Sequence, residues 1–319
     1  MTGPNSSNTS APTVSPVWLV LIGIASVQLG AGFAKSLFDD VAPTTIVWLR
    51  LATSVLVLVA VLRPRVRGRS REDWAVVLAF GLSLGLMNWA IYQSFARIPL
   101  GVAVTIEFIG PLALAVLGSR RPRDLLWVVL AGAGVLLLGF DGDHLDAAGV
   151  GFALLAGGSW AAYILLSART GQRWQGLDGL AVASVVATVL LTPLAIGIGG
   201  SDLVDPRVLL VGAAVGVLSS VIPYSCELVA LRTLSPGVFG ILMSLEPAAA
   251  ALAGIVVLGE LLGPPQYAAI ACVVAASLIV VPARMVSCCS APMWRSSFRV
   301  MSPGPRITWS VGSVGKSHG

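Results

Sequence analysis

The chain has 319 residues, of which 56% are hydrophobic and only 11% charged, and its formal net charge is +5. Its mean hydropathy is +0.89. A soluble domain carries about 25% charged residues, so this composition excludes a water-facing globular enzyme of the same size. It equally excludes a chain disordered throughout, because too much apolar surface would be left in water. Four cysteines (Cys226, Cys272, Cys288, Cys289) lack metal-ligand spacing and suggest neither a disulfide framework nor a zinc site. The chain reads as an all-α membrane protein.

A helix needs about 20 mainly apolar residues to cross the hydrocarbon core. Ten such runs follow in order: 17–35, 44–62, 74–96, 100–118, 125–140, 148–168, 179–198, 207–229, 236–258 and 266–283. They are continuous rather than alternating, which predicts helices and not barrel strands. Arg63-Pro64-Arg65, Arg121-Pro122-Arg123, Gly199-Gly200-Ser201-Asp202 and Gly263-Pro264-Pro265 punctuate them. Residues 1–16 hold no Lys or Arg, so the first run lacks the basic region of a signal peptide and reads as a retained anchor.

Basic residues orient the chain. With residues 1–16 in the cytoplasm, the inner loops and the tail at 284–319 hold 16 of the 20 Lys and Arg residues, against Lys35, Arg97 and Arg207 outside and Arg50 within a helix. The outer loops carry Asp39, Asp40, Asp141, Asp143, Asp146, Asp202 and Asp205 instead. This is the positive-inside pattern, with both termini cytoplasmic. The arginines set topology, and the net charge gives no reason to expect nucleic acid as a partner. Lys35, at the outer end of the first run, is expected to snorkel to the interface.

The two halves match. Gly81-x-x-x-Gly85 in the third run parallels Gly212-x-x-x-Gly216 in the eighth, a small-residue spacing that lets backbones approach. Ile98-Pro99-Leu100-Gly101-Val102 parallels Leu234-Ser235-Pro236-Gly237-Val238, and each is followed by a helix holding a carboxylate and a proline: Glu107 with Pro111, and Glu246 with Pro247. Leu117-Gly118 then parallels Leu258-Gly259. Five spans per half is odd, so the second half (148–283) is inverted relative to the first (17–140). Inverted repeats place a site at the midplane and expose it alternately by rocking. That architecture points to transport.

These residues carry a family resemblance over roughly 17–283. The two halves resemble EamA-type domains of the drug/metabolite transporter superfamily. Glu107-Phe108-Ile109-Gly110-Pro111-Leu112 and Gly240-Ile241-Leu242-Met243-Ser244-Leu245-Glu246-Pro247-Ala248 are similar to segments of the bacterial threonine/homoserine exporters, as are Ala34-Lys35-Ser36-Leu37-Phe38, Ser119-Arg120-Arg121-Pro122 and the stretch from Arg97 to Val104. The resemblance implies export of threonine- or homoserine-like amino acids across a bacterial cell membrane. It stops at Arg284; the basic tail, with Cys288-Cys289, is expected to be disordered.

Ionisable groups at membrane depth are expensive and face a cavity or a partner. Glu107 and Glu246 fall near the midplane on repeat-related helices, where one or both can bind a proton or a substrate ammonium, or else hold helices together. Arg50 matches a carboxylate bidentately; its partner is either a substrate carboxylate or one of the two glutamates. Ser220, Tyr224 and Glu227 share one face of the eighth run, beside a carbonyl freed by Pro223. Asn88 with Tyr92, Ser159 with Tyr163 beside Trp160, and Gln28 are polar groups that either line a pathway or link helices.

Energy coupling follows from the remaining motifs. Gly315-Lys316-Ser317 imitates the end of a P-loop, but Ser310 stands where its first glycine belongs. No cofactor is expected, and transport is secondary. A carboxylate pair favours protons as the coupling ion. Two other readings stay open: export of a different metabolite or drug, which calls for a wider aromatic cavity, and an intramembrane enzyme, which calls for a nucleophile–base pair or metal ligands at depth. The sequence assigns no oligomeric state.

Overall fold

A computed structural model describes residues 15–117, 146–175, 177–230, 234, 239 and 242–275, without the side chains of 115, 116, 224 and 227–229. The fifth run, the end of the tenth, the first 14 residues and the tail lie outside the described residues. All regular structure among the described residues is helical.

Helices α1 (Pro16–Lys35) and α2 (Pro43–Leu62) begin with proline in the first turn, where its missing N–H is no loss. Helix α3 (Arg71–Phe95) starts from a capping box: Ser70 Oγ accepts from Asp73 N at 3.1 Å, and Asp73 Oδ2 accepts from Ser70 N at 3.0 Å. The fourth run is split into α4 (Leu100–Glu107) and α5 (Ile109–Leu117). Helices α6 (Ala147–Arg173) and α7 (Asp178–Gly199) are long again. The eighth run is α8 (Pro206–Gly216), a π-helical turn (Val217–Val221) and α9 (Ile222–Ala230). The described part of the ninth is α10 (Glu246–Ala253) and a second π turn (Gly254–Leu258). Pro264–Ala275, α11, opens the tenth.

Among the described residues, five helices are long and apolar enough to cross a membrane: Pro16–Lys35, Pro43–Leu62, Arg71–Phe95, Ala147–Arg173 and Asp178–Val204. Outward faces carry side chains that water would not accept in such number, among them Trp18, Leu56, Val61, Leu190 and Val256. The runs at 100–118, 207–229 and 236–258 are helical with local irregularities among the described residues: a turn at Phe108, a π turn at Val217–Val221 and a turn at Ser244–Leu245. Proline is the local cause in each: Pro111, Pro223 and Pro247 lack the N–H that a continuing helix would bond four residues back.

Packing relates the halves. Helix α1 lies against α9 and α10, as α6 lies against α3 and α4–α5; α2 packs on α8 as α7 packs on α3; and the pairs α2–α7 and α4–α10 each join equivalent helices. Exchanging the halves leaves this set of contacts unchanged. The glycine motifs obey the same exchange. A Cβ at Gly81 would come within 2.7 Å of Ala183 O on α7, and one at Gly85 would meet Ala187 at 3.3 Å. A Cβ at Gly212 would meet Leu49 on α2 at 2.5 Å, and one at Gly216 would meet Thr53 at 2.7 Å. Each motif therefore seats the third helix of one half on the second helix of the other, as small-residue spacing allows.

The main core cluster joins Ala34, Ile46, Tyr92, Phe95, Ile98, Leu100, Ala250, Ala253 and Leu262. It fills the end of the molecule where α1 and α3 finish and α4 begins. A half-buried ion pair ties that end: Lys35 Nζ meets Glu260 Oε1 at 2.5 Å, each side chain 17% exposed. Lys35 also donates to Ile98 O at 2.7 Å, and Glu260 Oε2 accepts from Leu100 N at 2.8 Å. Gly259 makes this possible. Its positive φ of 68° turns the chain in a conformation glycine adopts freely, and folds Glu260 back over the helix end. Lys35, expected to snorkel from the outer end of the first run, is paired there with a carboxylate from the other half.

Candidate functional site

Below that core lies a cavity of about 460 Å³, lined by α1, α2, α3, α4–α5, α6, the π turn with α9, and the start of α10. Such a volume is at the small end of ligand pockets. Both halves build its wall.

The carboxylates reach it through helix breaks. Glu107 is the last residue of α4, and Pro111 leaves Glu107 O without a helical donor. Glycine meets the break from outside: a Cβ at Gly157 on α6 would stand 2.6 Å from Glu107 O. Glu246 is the first residue of α10, after a turn at Ser244 and Leu245. Both side chains line the cavity, and Glu107 is only 9% exposed. Discontinuous helices at the midplane are a recurring transporter device.

Arg50 enters from α2 and is held by the π turn. Its Nη2 donates to Ser219 O at 3.1 Å and its Nε to Ser220 Oγ at 3.4 Å. Pro223 explains the arrangement. In an α register its absent N–H would have bonded Ser219 O, and in the π register Leu218 O. Side chains from the first half serve both carbonyls instead: Ser26 Oγ donates to Leu218 O at 2.6 Å, and Arg50 takes Ser219 O. The four ion pairs among the described residues do not include Arg50, so it does not neutralise Glu107 by direct contact.

Of the remaining sequence candidates, Gln28, Asn88 and Tyr163 line the cavity. Asn88 Nδ2 donates to Leu84 O of its own helix at 2.9 Å. Tyr163 packs on Phe80, ring centroids 5.0 Å apart. Tyr92 does not line the cavity; it is fully buried one turn closer to the core, against Phe38 and Phe95, with the Arg50 guanidinium 5.6 Å from its ring centroid. The side chains of Tyr224 and Glu227 lie outside the described residues. Sequence reasoning missed Ser219, Met87, Phe108, Phe239 and Met243 as lining residues. Only Ser219 had a local signal, standing four residues before Pro223.

Comparison with known proteins agrees with this architecture. The EamA-like transporter family matches residues 147–281. The chain is 42% identical over 275 residues to the threonine/homoserine exporter RhtA of Salmonella typhimurium (strain SL1344), covering 85% of this chain and 93% of that one. It is 43% identical over 270 residues to RhtA of Escherichia coli (strain K12), covering 82% and 91%. A solved structure described as "Crystal structure of protein" aligns with a TM-score of 0.58 at 18% identity, over 86% of this chain and 99% of that one. That likeness is one of fold. On the relatives, the matching family and the apolar helices together, the chain belongs to the EamA-like transporter family and is a multi-pass protein of the bacterial inner membrane.

Proposed function

We propose that this chain is a secondary-active exporter of small amino acids of the threonine and homoserine type, driven by protons and working by alternating access. One observation carries the reading: a single small cavity between the halves holds Arg50, Glu107 and Glu246 together. A zwitterionic amino acid needs a cation for its carboxylate and an anion for its ammonium, and this cavity supplies both. The relatives' printed name, threonine/homoserine exporter, supports that substrate class.

Ten spans in two inverted repeats, 17–140 and 148–283, with both termini in the cytoplasm, complete the proposal. The exchange-symmetric packing supports it. So does the closure at the Lys35 end, which under this orientation is the outer face. A proton arriving from outside neutralises Glu107 or Glu246, the bundles rock, and its release inside accompanies loading of the cytoplasmic substrate. The aromatic lining by Phe95, Phe108, Trp160, Tyr163 and Phe239 favours a second reading, a bulkier amphipathic metabolite or drug.

The test is efflux from cells lacking their own exporters and loaded with threonine- or homoserine-containing dipeptides. Wild type is expected to export both amino acids. Glu107→Gln or Glu246→Gln, at matched membrane levels, is expected to reduce efflux about tenfold or more. Efflux unchanged in both variants would make the carboxylates structural; no efflux by wild type would remove the amino-acid assignment and favour the second reading.

A further inference from the structure

Two polar atoms in the cavity are left over. Gln28 Oε1 and Ser219 Oγ are buried without a hydrogen-bond partner among the described residues, on side chains only 4% and 3% exposed. Both residues line the cavity, Gln28 from α1 and Ser219 from the π turn that packs against α1. Ser26 Oγ on α1 bonds Leu218 O there, and a Cβ at Gly30 would collide with Ser219 Oγ. Leaving such groups unpaired is costly, and native proteins seldom do so without a ligand, water or ion to complete them. The local backbone is a π turn, a feature frequent at functional sites.

Geometry divides the labour. Arg50 is anchored on Ser219 O, so Ser219 Oγ belongs to the residue that positions the cation. Glu107 and Glu246 supply the anions of the same cavity. A ligand whose carboxylate faces Arg50 shares its cavity with the Gln28 amide and the Ser219 hydroxyl. These groups are neutral, with both donor and acceptor capacity. They suit a neutral hydroxyl, not a second charge.

We infer that Gln28 and Ser219 form a hydroxyl subsite that selects hydroxylated small amino acids over their deoxy counterparts. The inference rests on the amino-acid reading above. It explains how one pocket would accept both threonine and homoserine, whose hydroxyls differ in position by one carbon. A subsite with two polar groups on neighbouring helices can meet either. Removing the hydroxyl from threonine or from homoserine yields one compound, 2-aminobutyrate, which would leave both protein groups unpaired.

The experiment measures uptake by proteoliposomes of the full chain, with threonine, homoserine and 2-aminobutyrate competing against labelled threonine. Wild type is expected to favour each hydroxylated substrate over 2-aminobutyrate by about tenfold or more, the size of one to two buried hydrogen bonds. In Gln28→Leu and in Ser219→Ala that ratio is expected to fall several-fold toward one. The ratio is internal to each variant, so lower folding yield does not mimic the effect. No wild-type preference over 2-aminobutyrate overturns the subsite without needing any variant. A preference that survives in both variants also overturns it, and leaves the amino-acid reading standing. Inability of all three compounds to compete with a transported substrate of another class overturns the reading and the subsite together.

Discussion

Pro223 strips a donor from the eighth helix, and two side chains from the other half make good the loss. This arrangement yields a quantitative prediction. Replacing Arg50 by Met removes the donor to Ser219 O, held at 3.1 Å, together with the longer bond to Ser220 Oγ at 3.4 Å. A charge-assisted hydrogen bond is worth about 1.5–3 kcal/mol, and a buried carbonyl left unpaired costs about 1–3 kcal/mol, two descriptions of overlapping losses. We expect Arg50→Met to destabilise by about 2–3 kcal/mol. Ser26→Ala, which removes a 2.6 Å bond to Leu218 O, should cost about 1–2 kcal/mol. Pro223→Ala returns one backbone N–H, which can reach Leu218 O in the π register or Ser219 O in the α register. In that background one of the two penalties should therefore shrink by about 1 kcal/mol. Equilibrium unfolding in mixed detergent–SDS micelles, followed by tryptophan fluorescence, gives the double-mutant cycles. Coupling of Pro223 with neither Arg50 nor Ser26, to within about 0.3–0.5 kcal/mol, would show that the side chains are not substituting for the missing donor.

Lys35 and Glu260 should couple as well: in a Lys35→Met, Glu260→Gln cycle by the same unfolding assay, we expect about 1 kcal/mol, the size of a half-buried pair with good geometry. Gly81→Val and Gly212→Val push a side chain into Ala183 O and Leu49; each should cost at least about 2 kcal/mol. Gly197→Ala, with nothing within 4 Å of the added Cβ, should be neutral or stabilising by about 0.5–1 kcal/mol. Topology can be read from single cysteines in a background lacking Cys226, Cys272, Cys288 and Cys289. A cysteine at Gly68 should react with impermeant maleimide only from the cytoplasmic side, and one at Ser201 only from outside; the reverse pattern would invert the proposed orientation.

How much of this was legible beforehand depends on whether the signal was local. The long helices were, because hydropathy over 20 residues is a property of one segment. The prolines at 111, 223 and 247 marked where backbone would be freed. They could not reveal which carbonyl would be used or by whom, because Arg50 and Ser26 arrive from the other half of the chain. The partners of Gly81 and Gly212 were hidden for the same reason, as was Glu260, which meets Lys35 only after a left-handed glycine turns it back. Asn88 and Tyr92 were paired correctly as helix neighbours. One turn along α3 nevertheless moves Tyr92 out of the cavity wall and into the core that closes it. The direction of transport is invisible for a deeper reason. An arrangement whose contacts survive exchange of its halves has no built-in sense of inward or outward. Asymmetry enters through what differs between the halves, such as Lys35 with Glu260 at one end of the cavity and Arg50 on one wall, and under the proposed alternating-access cycle these unmatched residues are the ones that would bias it.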